Sequence, residues 1–383
     1  MRPTSTLDLH DPAVVADPYP ALAEERSRHE VAWHEASGGW LAFSHAAVSA
    51  VQRNRDLGRL WRDREPAAEL EPFNLLHRNQ MMENEPPRHT RLRRPVAAAF
   101  NRGHVERLRP RVRSLADELL DALDPTAFDL VRDFAEPLPV LVICELLGVP
   151  ASMVGSLRAW SQAIVRMYEP GTGPDVVDAA VRASADFAAY ARELVAERRA
   201  APRDDLVSDL ARSELTDDEV VASVVLLLNA GHEASVNVFG NGATAMLRRG
   251  LVPGEDVALT VEECLRFDSA LQLFERTATA PVEVGGVVVR PGEKVSVLLG
   301  SANRDERVFE RADSFVVDRD PNPHVAFGVG VHFCLGAPLA RMELAESMSR
   351  LWERFPRLAL TGRPESRGTF VLRGHRSVPV AAE

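Results

Sequence analysis

The stretch Phe327-Gly328-Val329-Gly330-Val331-His332-Phe333-Cys334-Leu335-Gly336 decides how this chain is read. Its glycines let backbone bend tightly and approach another group closely. One cysteine sits among them, just ahead of a predicted helix that resumes after Pro338 and runs to about Phe355. Backbone amides and a helix N-terminus favour a thiolate over a thiol. The remaining cysteines, Cys144 and Cys264, form no CxxC pair, which argues against structural zinc. A buried lone thiolate needs a cationic partner, and ferric haem iron is the natural one. The plainer alternative is a glycine-rich turn around a structural cysteine.

The rest of the chain sets the context. It has 383 residues, 45% hydrophobic and 26% charged, which excludes a disordered or collagen-like chain. The net charge of −11 makes nucleic acid and anionic lipid poor partners, so neither nucleic acid nor membrane is expected. The N-terminus MRPTSTLDLHDP has no apolar core of the signal-peptide kind. The longest apolar run, Val220 to Leu228, is too short to span a bilayer. Sparse cysteines fit a reducing compartment, and a cytoplasmic protein is expected.

Helical patterns dominate. VAWHEASGGWLAF reads as a hairpin turning at Gly38-Gly39. Residues 45–55 read as helix, and 58–83 as a loop with short helical pieces. Pro86-Pro87 opens a basic helix, HTRLRRPVAAAF, in which Pro95 is a local conflict. Further helices are predicted over about 106–123, 140–148, 151–168 and 176–200, with a break at 169–175. Thr216-x-x-Glu219 is a capping box that starts a long apolar helix ending near Gly250. At 1.5 Å per residue it would be about 50 Å long, and a helix so apolar should run through the protein's middle. After residue 274, period-two and β-branched character with Gly-Gly and Pro-Gly turns predicts a small antiparallel sheet. The tail FVLRGHRSVPV reads as strand and turn.

The cysteine segment matches the haem loop FGxGxHxCxG of the cytochrome P450 family at every fixed position, and the chain resembles that family over nearly its whole length. DPYP (Asp17 to Pro20), EPPRHTRLRRPVAAAF, AGHEAS, ANRDERVF and VPV all take part. The resemblance implies one domain over 1–383, mainly α with small β-sheets (α+β), its long central helix crossing a haem b (iron protoporphyrin IX). Cys334 would be the iron ligand, in a loop with Phe327, Gly328 and Gly336. Glu263-Cys264-Leu265-Arg266 looks like the family's ExxR motif, a buried charge pair completed by an arginine at Arg319. Cys264 reads as a small core residue. His89, Arg93, Arg276 and His324 match the family's propionate-binding positions; each alone would be an ordinary solvated or satisfied side chain. The expected partners are O2, a small-molecule substrate, and a ferredoxin or flavodoxin with its reductase. Arg88, Arg94 and Arg341 are candidate docking cations, the alternative being a solvated basic face.

On the long helix, Ala230 and Gly231 would leave room for dioxygen, and Glu233 supplies the family's acid. The usual threonine is replaced by Ala234, which cannot hydrogen-bond the water that carries protons. Three compensations are open: a substrate hydroxyl or carbonyl, rotation of Ser235, or chemistry with a different proton demand such as oxidative coupling or peroxide use. The fourth alternative is neutral drift. Glu233, Ala234 and Ser235 are therefore the candidate catalytic segment, and His232 reads as packing. A non-catalytic recruitment protein of the same fold is a remote alternative. Leu60, Trp61, Phe73, Met167, Leu271 and Leu273 suggest a mostly apolar, medium-to-large ligand, such as a secondary metabolite, although such residues also make ordinary core.

Overall fold

The computed structural model describes residues 2–169 and 171–382. Helices carry most of the chain, and the longest of them organises the rest. It spans Asp217–Leu247, and its capping box forms as predicted. Glu219 N–H donates to Thr216 Oγ1 at 3.3 Å, and Thr216 N–H donates to Glu219 Oε2 at 3.1 Å. Arg91 Nη1 reaches the same carboxylate at 2.8 Å, tying the basic helix Arg88–Ala97 to the start of the long one.

By length and composition the long helix could cross a bilayer, so the short-run argument from Val220–Leu228 understated it. What decides its place is packing: 83% of its most apolar stretch is buried inside the protein. Helices Pro137–Leu147, Pro174–Ala200 and Val257–Phe267 lie against it. Gly242 lets the last of these come close, because a Cβ there would sit 2.3 Å from Cys264 Sγ. Cys264 is thus a buried core residue, as its size suggests.

A six-stranded sheet flanks the helices. Its order is Thr4–Ser5, Val31–His34, Gly39–Ala42, Lys294–Leu298, Leu273–Ala278, Leu57–Gly58. The hairpin at Gly38-Gly39 forms with Trp33 opposite Trp40. The predicted sheet after residue 274 divides in two: Leu273–Ala278 pairs antiparallel with Lys294–Leu298, while Val282–Val284 and Val287–Val289 make their own hairpin. Pro95 lies inside the basic helix, two residues before its end at Ala97, so the i−4 bond it cannot give to the Arg91 carbonyl is lost close to where the helix stops. The helix predicted to begin near 106 begins at Arg102, capped by Asn101 Oδ1 at 2.9 Å from His104 N–H. Within 58–83, Glu71–Arg78 is a full helix whose apolar face carries Phe73 and Leu76 into the core.

Candidate functional site

The cysteine loop is fixed from behind by a saturated charge network. Glu263 and Arg266 are completely buried, one helical turn apart. Arg266 Nε and Nη2 donate to the two Glu263 oxygens at 2.7 and 2.8 Å. Arg319 Nε adds a bond of 2.9 Å and the Val316 amide one of 2.8 Å. The remaining Arg266 donors go to the carbonyls of Asn303, Ala312 and Ser314 at 2.9, 2.8 and 3.0 Å. Every strand of irregular chain leading to the cysteine is therefore tied to one helix.

The loop itself needs its glycines. Gly328 and Gly330 have φ of +67° and +81°. A Cβ at Gly330 would lie 2.5 Å from the Gln52 carbonyl. Cys334 N–H donates to Phe327 O at 2.9 Å. Its sulfur receives the amides of Gly336 and Ala337, where the helix Ala337–Arg354 begins, with the Arg93 and Arg341 charges nearby. Burial nevertheless outweighs these and pushes the thiol up. A bound cation would tip that balance to thiolate.

Among the described residues, two buried donors around the loop have no ion pair. Arg276 is 3% exposed and donates to the Glu275 carbonyl at 3.1 Å, with Glu83 and Glu85 acting on it only at longer range. Burial, with Arg59 beside it, lowers its pKa to about 10. His89 is buried, its Nε2 has no partner, and burial with the His332 and Arg93 charges holds it down at about 4. Arg93, one turn along, donates to the Phe333 carbonyl at 2.7 Å. A sulfur primed by amides, beside a guanidinium and an imidazole without a paired carboxylate, fits an iron porphyrin carrying two carboxylates.

His324, expected beside the propionates, is held by protein groups. Its Nε2 binds Glu262 at 2.9 Å and its Nδ1 accepts from Ala326 N–H at 3.2 Å, so both ring nitrogens are satisfied within the protein. Arg341, a candidate docking cation, is spent on the same carboxylate at 2.6 and 2.8 Å. Burial would raise Glu262, but these two partners hold it at about 2. Arg94 pairs with Glu214, and Arg88 bonds Asn79 at 3.0 Å; both keep exposed side chains.

On the long helix, Ala230 and Ala234 are exposed in the midst of buried neighbours. They lie four residues apart, on one face. A gap one turn long thus opens in an otherwise closed helix, with Gly231 partly exposed beside it. Glu233 and Ser235 are each rotated about 100° from Ala234. Glu233 is buried and pairs with Arg367 at 3.2 Å; His232 Nε2 lies 3.3 Å from its other oxygen without hydrogen-bond alignment. Burial would raise the carboxyl, but His232 and Arg367 beside it keep it below the usual range. His232 Nδ1 bonds the Leu228 carbonyl at 2.7 Å, which suits its reading as packing.

Ser235 faces the other way. It lines a cavity of about 10 Å3 with Phe134, Phe239, Glu343 and Ser347. Two residues here escaped the sequence reading. Glu343 is buried in the helix after the cysteine, and burial pushes its carboxyl up to about 8. Its signal in the sequence is a glutamate set between Met342 and Leu344. Arg367 lies just ahead of the FVLRGHRSVPV tail, in a stretch to which the sequence pattern assigned no element. Among the expected pocket residues, Phe73 and Trp61 stack on buried His77 at 3.9 and 4.8 Å, so Phe73 belongs to the core.

The cytochrome P450 family model matches residues 257–369, which hold the ExxR helix, two strands of the six-stranded sheet and the cysteine loop. Cytochrome P450 107B1 of Saccharopolyspora erythraea is 40% identical, over 78% of this chain and 76% of its own. The 6-deoxyerythronolide B hydroxylase of the same organism is 35% identical, over 98% of this chain and 99% of its own. The structure of P450BioI, in complex with a hexadec-9Z-enoic acid ligated acyl carrier protein, superposes with a TM-score of 0.92. That comparison covers 97% of this chain and 100% of the other at 28% identity. The chain belongs to the cytochrome P450 family. It is an O2-dependent monooxygenase that takes its electrons from an external donor, and the family implies a haem-thiolate iron cofactor.

Proposed function

We propose that this enzyme holds haem b on Cys334 and inserts oxygen into a C–H or C=C bond of a medium-to-large, mostly apolar secondary metabolite. The observation that carries the reading is a set of groups at the cysteine loop without ion pairs among the described residues: the partly buried, amide-primed Cys334 sulfur, buried Arg276 and buried His89 Nε2. In this reading Arg276, His89 and Arg93 hold the propionates. His324 acts indirectly, by orienting Glu262 and Arg341 behind the loop. Once bound, the haem supplies dioxygen activation, and the thiolate donates electron density to it.

The chain's own residues then manage space and protons. Ala230 and Ala234 leave room above the haem. Glu233 stays ionised against Arg367, so proton entry requires that pair to loosen. Ala234 offers no hydroxyl, and Ser235 looks toward Glu343. A hydroxyl or carbonyl of the substrate therefore completes the hydrogen bonds of the proton-carrying water. Electrons come from a ferredoxin or flavodoxin, in the cytoplasm, docking near Arg88 and Arg94.

Optical titration of the ferric protein tests this, using macrolide, terpenoid, peptide, aromatic and carrier-tethered acyl compounds. A low-spin to high-spin Soret shift with one class identifies the substrate family. A protein supplied with haem that develops no thiolate-type Soret band overturns the reading. Oxygen-18 in the product separates insertion from oxidative coupling.

A further inference from the structure

One carboxylate joins two segments that have no sequence proximity. Glu169 follows the turn Arg166–Tyr168, and its two oxygens accept from three successive amides, Phe370, Val371 and Leu372, all at 3.1 Å. Charge-assisted bonds to backbone amides are the stronger kind. The same turn is held twice more from below: Arg64 Nη2 donates to the Met167 carbonyl at 3.0 Å, and Tyr168 OH meets His77 Nε2 at 3.1 Å. His77 Nδ1 is spent on the Phe73 carbonyl at 2.7 Å, so the hydroxyl is the donor to Nε2.

The 366–374 loop that receives Glu169 also touches the long helix. Arg367 pairs with Glu233, and a Cβ on Gly374 would sit 2.0 Å from Asn237 Oδ1. Its base is anchored independently: Arg367 N–H bonds the Gly374 carbonyl at 3.0 Å, Arg373 pairs with Asp268 at 2.7 Å, and Asn241 Nδ2 donates to the Arg373 carbonyl at 3.2 Å. The amides of 370–372 donate to Glu169, while on their other side the Val371 carbonyl accepts from Gln272 N–H at 2.9 Å and the Phe370 and Val371 side chains are buried.

We propose that Glu169 is the latch of the distal pocket, a positioning residue that clamps the 166–169 turn onto the 370–372 segment of the 366–374 loop. This rests on the haem-monooxygenase reading above.

The test uses the holoenzyme and its Glu169→Gln and Glu169→Ala variants, with 4-phenylimidazole as the iron-binding probe. Stopped-flow release of the probe should be about tenfold faster in both variants, because loss of a closing contact acts mainly on the off-rate. Tm and the ferrous carbonyl spectrum should stay as in the wild type. Hydrogen exchange at amides 370–372 should accelerate in the variants and slow in the wild type when the probe binds. Folded variants with an unchanged release rate and unchanged exchange at 370–372 overturn the latch. If neither variant folds, wild-type exchange decides: amides 370–372 that ignore the probe overturn it. A missing thiolate-type carbonyl band in the wild type would sink the haem reading instead, and exchange in the variants would still decide the latch.

Discussion

The two sides of the candidate haem site are built on opposite principles. Behind the cysteine, buried charge is saturated: Glu263 takes bonds from Arg266, Arg319, Val316 and Asn322, and the Arg266 donors end on Glu263 or on carbonyls. Along the long helix, buried polar atoms stand without partners, among them Asn229 Oδ1, His232 Nε2, Glu233 Oε1 and both amide atoms of Asn237. A saturated network specifies one geometry, which a metal ligand needs. Unspent polar atoms beside a gap at Ala230 and Ala234 leave hydrogen-bonding capacity for a substrate and water. One side fixes a position, and the other keeps capacity in reserve.

Substitutions can break that contrast, beginning with the largest effect. Cys334→Ala should abolish the thiolate-type spectrum and cut turnover by about three orders of magnitude or more, since the haem loses its electron-donating ligand. Retained turnover would show that the cysteine is structural. Glu263→Ala leaves two buried guanidiniums without their shared anion. We expect a loss of roughly 3–5 kcal/mol in denaturant unfolding, or no folded protein at all. A loss under about 1 kcal/mol, the range of surface pairs, would remove the saturated network from the comparison.

Glu343 offers a pH test. Its folded carboxyl titrates at about 8, above the unfolded value of about 4.3, so the folded state holds the proton more tightly. Its contribution to stability is complete below about pH 4 and drains away as pH rises toward 8. Glu343→Gln lacks that drain. The variant should match the wild type near about pH 4 and exceed it by on the order of a few kcal/mol at pH 8. Parallel stability curves would mean that Glu343 is ionised. The smallest effect belongs to Ala234→Thr. If the substrate supplies the missing hydrogen bond, product formed per electron on the true substrate should stay within about twofold of wild type, a change under 1 kcal/mol in partitioning. A large rise would return proton delivery to the helix itself.

The sequence reached furthest where function is local. The cysteine loop, the ExxR turn and the Thr216 capping box each lie within ten residues, and their glycines, charges and caps act through neighbours along the chain. Substitution of Ala234 at the acid–alcohol position was also legible, as was the hairpin at Gly38-Gly39. By itself, then, the sequence determined the family, the metal-ligand candidate and the place where the pattern breaks. Tertiary structure decided which way those residues face and what they spend their hydrogen bonds on. It turned Ser235 toward Glu343, spent His324 and Arg341 on Glu262, and brought Arg367 to Glu233 and Glu169 to the 370–372 amides. The physical reason is distance along the chain. Partners 79, 134 and 202 residues apart meet only through packing, and no local propensity encodes whether a side chain's donor is already taken.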